Sequence, residues 1–155
     1  CIETMIDLNE AVLALEATRS INREIPIITT MTFNETPRGF FTIMGNDIAT
    51  VSKKLIENGA DIIGSNCGNG IENMIKIARE FKKISSLPII IQSNAGLPEI
   101  KNGTIIYSET PDFFGEKTNE LIELGVSIIG GCCGTTPEHI QAIRRTVDSY
   151  NSMKQ

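Results

Sequence analysis

Short apolar, β-branched runs alternate with amphipathic stretches along the whole chain. Pro26 to Phe33 (PIITTMTF) predicts a buried strand, being β-branched, apolar and bounded by a proline. Ile62-Ile63, Pro88 to Ser93 and Ile128-Ile129 repeat that character. Between them the apolar positions take helical spacing. Leu8, Ala11, Val12 and Leu15 fall at i, i+3, i+4 and i+7, and Ile71, Met74, Ile75 and Ala78 do the same. Gly59 and Gly125 follow predicted helices ending at Asn58 and Leu124, where a left-handed cap is expected. Thr136-Pro137-Glu138 opens the last helix as cap, first-turn proline and first-turn acid. This alternation predicts an α/β fold, a parallel sheet with right-handed crossovers. Asn34 to Asn46 and Leu97 to Glu109 follow neither period and are expected to be irregular loops. Both follow strands, at the edge where long loops often carry function.

An internal repeat sharpens the pattern. Leu55 to Gly68 reads LIENGADIIGSNCG and Leu121 to Gly134 reads LIELGVSIIGGCCG, identical at nine of fourteen positions with an offset of 66 residues. Two strand–helix units fit that gap, since one takes about 30 residues. The repeated pieces therefore belong to alternate strands, with Pro88 to Ser93 between them. In a closed βα barrel, alternate strands feed the same interior layer. The repeat then sets Cys67 and Cys133 at equivalent heights, just past the C-terminal ends of their strands.

Composition narrows the classes of function. The chain has 155 residues, 41% hydrophobic and 21% charged, with a formal net charge of −5. That fits about one domain with a sizeable core, and excludes a disordered chain or a basic nucleic-acid footprint. No apolar run approaches the ~20 residues of a membrane span. Four cysteines are too few for a secreted disulfide framework at this length, so reduced thiols and a cytoplasmic location are expected. A single histidine nearly excludes mixed Cys/His zinc fingers.

Adjacent residues of a regular strand point to opposite faces, so Cys132 and Cys133 cannot serve one site from β structure. Gly130-Gly131 before them and Gly134 after them free the backbone to leave it. Both thiols can then converge with Cys67. Three thiolates suit zinc, and a catalytic zinc keeps a fourth position open. So electron-rich a centre suits a soft ligand such as a thiol, held as thiolate near neutral pH. Cys1 has no such context and reads as structural.

At Asn66-Cys67-Gly68 together with Gly130 to Ile140 (GGCCGTTPEHI), the sequence resembles the homocysteine S-methyltransferase family. Ile2 to Ala11 (IETMIDLNEA) and Asn94 to Pro98 (NAGLP) resemble family segments in the expected order, so the likeness runs from Ile2 through about Val147. The resemblance implies a (β/α)₈ TIM barrel with zinc held by Cys67, Cys132 and Cys133. It implies homocysteine bound as thiolate and methylated to methionine, and Glu3 on the substrate's amino group. Asn94 ends its strand between the two cysteine strands, within reach of metal or substrate. Asn66 is expected to orient its loop. His139, in the first turn of the last helix, is expected to be exposed or internally satisfied.

Five strand ends, near Glu3, Phe33, Asn66, Asn94 and Cys132, account for only part of an eight-unit barrel of about 250 residues. The family's glycine-rich loop after the first strand is also absent. Residues 1–155 are therefore expected to be a single domain, the C-terminal portion of a homocysteine-binding barrel, about its last five βα units. Cys1 is expected to be a cut point within a strand, with the N-terminal units as missing partners. The methyl donor stays open among methylcobalamin from another domain or protein and small molecules such as betaine. Two other readings stay open: a phosphate-ligand barrel enzyme using Gly130-Gly131 as its cradle, and a non-catalytic metal-binding barrel fragment.

Overall fold

The computed structural model describes residues 1–154. Five parallel strands form one sheet: β1 (Ile2–Met5), β2 (Ile28–Met31), β5 (Ile62–Asn66), β6 (Ile89–Ser93) and β9 (Ile128–Gly131), in the order β1-β2-β5-β6-β9. Helices α1 (Leu8–Ile21), α2 (Ile48–Glu57), α3 (Ile71–Ile84) and α4 (Pro111–Glu123) make the crossovers, and α5 (Pro137–Met153) follows the last strand. Sequence neighbours are thus sheet neighbours throughout, as the alternation of apolar periods predicts.

The strands alternate between two faces. Ile27, Met31, Phe33, Ile63, Ile89 and Ile91 enter the main core, where they meet Leu15, Leu55, Phe81 and Phe114 from the helices. The opposite face carries Thr30, Gly64, Ile90 and Ile128, which are register partners in one row across four strands. The next row on that face is Asn66, Gln92 and Gly130. Gly64 has to be glycine, because a Cβ there would lie 1.8 Å from the Ile90 carbonyl oxygen.

Gly59 and Gly125 take positive φ of +90° and +76° just after their helices, as expected of left-handed caps. The two segments expected to be irregular are not. Asn34 to Asn46 contains a hairpin, β3 (Asn34–Thr36) with β4 (Gly39–Phe41). Leu97 to Glu109 contains another, β7 (Pro98–Lys101) with β8 (Thr104–Tyr107). Their strands are only three or four residues long, and the apolar residues they carry are mostly exposed or half-buried, Phe40 excepted. Both hairpins do follow parallel strands, as expected of the loops.

Candidate metal centre

Cys67 follows β5 directly, whereas Cys132 and Cys133 follow the last glycine of β9. All three sulfurs lie within 4.8 Å of one another, and Cys67 Sγ is 3.6 Å from Cys133 Sγ. Two sulfurs bound to one tetrahedral zinc at about 2.3 Å stand roughly 3.8 Å apart, so the trio has the spacing to hold such an ion. Cys1 lies outside the cluster and is exposed.

The backbone leaves β geometry where the sequence frees it. Cys67 itself takes φ +62°, an unusual conformation for a side chain with a Cβ, and Gly68 follows at +76°. Gly134 closes the second loop at φ +78°. Hydrogen bonds hold both loops to β6, the strand between them. The Cys67 amide donates to the Gln92 carbonyl at 3.2 Å and the Cys132 amide to the Ser93 carbonyl at 2.7 Å. Past β6, the Asn94 Oδ1 accepts from the Cys133 amide at 3.1 Å, while Ala95 N–H donates to the Cys133 carbonyl at 2.9 Å. Asn94 thus acts here on the backbone of a thiol residue.

Asn66 is buried below the thiols and ties three strands together. Its Oδ1 accepts from the Thr4 amide at 2.8 Å and the Thr30 hydroxyl at 2.6 Å. Its Nδ2 donates to Thr4 Oγ1 at 2.7 Å and stands 3.8 Å from Cys132 Sγ. This pair of bonds holds Thr4 at φ +61°, a costly conformation for a β-branched residue. Glu3, next to Thr4, is exposed and makes no hydrogen bond or ion pair among the described residues. Its link to the thiols runs only through that neighbour.

His139 is buried and internally satisfied, as expected. Its Nδ1 accepts from the Thr136 amide at 3.1 Å, which leaves Nε2–H to donate to the Glu109 carbonyl at 2.9 Å. The Thr136 amide at the start of α5 is thus held by a side chain of the same helix. Sequence reasoning missed Glu109. Its carboxylate accepts from the Ile71 amide at the start of α3, and its own N–H donates to the Ala95 carbonyl. Burial raises its pKa, and the hydrogen bond from Ile71 opposes that rise. Tyr107 was missed too: its ring packs against Gly134, leaving no room for a Cβ there. No sequence period marks either residue, because each acts across long chain separations.

A family model described as homocysteine S-methyltransferase matches residues 1–147. The chain is 32% identical over 151 residues to a methionine synthase of Mycobacterium leprae and 31% identical over 147 residues to one of Mycobacterium tuberculosis. These matches take in 96% and 94% of this chain but only 12% of each relative's length. Among solved structures, the metallated form of the homocysteine methyltransferase MmuM from Escherichia coli superposes with a TM-score of 0.70 at 20% identity. That match covers 92% of this chain and 43% of that one. The apo form gives 0.68 at 19% identity, covering 93% and 47%. At such identities the likeness is one of fold.

Proposed function

The chain belongs to the homocysteine S-methyltransferase family, and on that premise we propose that it binds homocysteine as a thiolate for methyl transfer to give methionine. The observation that carries this reading is the convergence of Cys67, Cys132 and Cys133 within 4.8 Å. In it, these three sulfurs hold a zinc ion. A bound zinc supplies the positive charge that keeps an incoming thiol deprotonated at neutral pH.

The chain's own residues hold that arrangement ready. Asn66 anchors the loop of Cys67 to β1 and β2, and Asn94 fixes the backbone of Cys133. The structure around the ligands is thus set before any ligand arrives, the condition for productive positioning. Glu3, the second residue of β1, is assigned the substrate's ammonium, as a carboxylate–ammonium pair. The substrate sulfur then forms a bond to the methyl carbon as the donor's bond to it breaks. The donor comes from elsewhere, with methylcobalamin on another domain or protein as the first candidate. The reading takes the cysteines as free thiols, in keeping with a reducing compartment such as the cytoplasm.

The five-stranded sheet is read as an arc of an eight-stranded barrel. Its stagger supports that: the repeat equates Ile62 with Ile128, yet the ladder sets Gly64 opposite Ile128 through Ile90. The shift is two residues over two strand steps, the one residue per strand that gives an eight-stranded barrel its shear of about 8. Three more strand–helix units would join the free edges of β1 and β9.

X-ray absorption on the zinc-loaded protein tests the assignment. Three sulfur ligands are expected without homocysteine and four with it, and Cys→Ser at 67, 132 or 133 should abolish tight zinc binding. Undiminished zinc content in all three variants would overturn it.

A further inference from the structure

Among the described residues, four buried side-chain atoms lack a hydrogen-bond partner: Thr29 Oγ1, Ser65 Oγ, Gln92 Oε1 and Ser93 Oγ. Strand alternation sorts them. Thr29, Ser65 and Ser93 precede or follow Thr30, Asn66 and Gln92 and so point to the opposite, helix-covered face. Gln92 alone among these four lies on the face that carries the thiols.

Its position there is well determined. Gln92 pairs in register with Asn66 on one side and Gly130 on the other. Asn66, its neighbour in that row, reaches to 3.8 Å from Cys132 Sγ. The Gln92 side chain leans over Gly130, where an added Cβ would stand 3.3 Å from Gln92 Cγ. The glycine gives that long side chain its space, and the Gln92 carbonyl receives the Cys67 amide at 3.2 Å. The residue is therefore locked into the framework of the thiol site while its carboxamide oxygen bonds to nothing. An orphaned buried acceptor is costly, and a ligand's donor would remove that cost.

We propose that Gln92 is a specificity-determining residue, whose carboxamide hydrogen-bonds the amino-acid end of a thiol ligand held at the cysteines. This rests on the homocysteine reading above. A thiol that meets the three sulfurs and extends down this face brings its polar end toward the row of Asn66, Gln92 and Gly130. Asn66 is already occupied by Thr4 and Thr30, and Gly130 has no side chain. Gln92 supplies the remaining polar group of that row. An ammonium N–H not taken by Glu3 donates to Oε1 and satisfies the orphan, whereas a plain alkyl thiol leaves it as it is. Gln92 thus selects for an amino-acid head and contributes nothing to holding sulfur.

The test compares two thiols on the zinc-loaded protein by calorimetry, with Gln92→Met as the isosteric apolar variant. Homocysteine should bind the variant about tenfold or more weakly than wild type, the range for a hydrogen bond to a charged group. Propanethiol, which has the sulfur but no amino-acid head, should bind both proteins alike. Equal weakening of both thiols would make Gln92 a structural residue and overturn the proposal, as would unchanged homocysteine affinity. Failure of the wild-type protein to bind either thiol would instead remove the homocysteine reading on which it rests.

Discussion

One carboxamide, that of Asn66, joins β1, β2 and the end of β9. Replacing Asn66 with Ala leaves the Thr30 hydroxyl and the Thr4 amide without their partner. The expected loss is about 1–3 kcal/mol, read by urea unfolding. Zinc affinity should fall by roughly 10–100-fold, the range for residues that support metal ligands. Glu109 gives a pH dependence at the same scale. Its pKa is raised in the folded chain, so the folded state holds its proton to higher pH than the unfolded one. Its contribution is fully present below the unfolded pKa and is lost as pH rises through the folded pKa. Glu109→Gln should therefore flatten the loss of stability across and just above the carboxylate range. Urea midpoints at pH 4 and pH 7 for both proteins would show it, and parallel slopes would count against it. The Ile71 amide keeps an acceptor in this variant, so the comparison isolates the proton.

The elements that carry the thiols are short loops between rigid pieces, and their glycines set the geometry. A Cβ on Gly134 would approach the Tyr107 ring to 2.2 Å, at a backbone φ of +78°. Gly134→Ala should thus weaken both folding and zinc binding through two separate effects. Adding Tyr107→Ala removes the clash but leaves the backbone strain of about 1 kcal/mol. A double-mutant cycle in zinc affinity should show partial recovery, and strict additivity would mean that the ring does not press on this loop. The hairpin β7–β8 that brings Tyr107 there was legible in part. Asn102-Gly103 is the strongest two-residue hairpin signal, and both residues take positive φ, +52° and +77°. The hairpin's strands are four residues each and almost wholly exposed, so no buried face marks them as it marks the strands of the main sheet. The first hairpin turns at Pro37-Arg38, between strands of three residues each. So short a pairing draws its stability from its neighbours, which sequence alone does not display.

At the scale of the molecule, β1 and β9 each have one sheet neighbour and one free edge. Beside β9 lies a groove of about 600 Å³ lined by Ile129, Ile140, Ile143 and Val147 together with the polar Arg144 and Lys154. Parallel edges without a neighbouring strand, next to such partly apolar surface, invite pairing with another chain. Residues 1–155 expressed without further strands should therefore self-associate in sedimentation velocity at tens of micromolar, and Ile128→Lys at the edge of β9 should reduce it. A monomer in both cases would argue that the edge is protected. Among the described residues, no helix is long and apolar enough to cross a membrane.

The order and kind of the main elements follow from the chain's local pattern alone, because apolar period and helix caps are local properties. Its repeat also determined that Cys67 and Cys133 end alternate strands, and its glycines that Cys132 and Cys133 leave β geometry together. Only the tertiary structure decided what surrounds them. The bonds from Asn66 to Thr4 and Thr30 span 62 and 36 residues, and that from Asn94 to Cys133 spans 39. Glu109, Tyr107 and the orphaned Gln92 likewise gain their meaning from groups far along the chain. A side chain's partners follow from where the strands are laid together, and no local pattern records that.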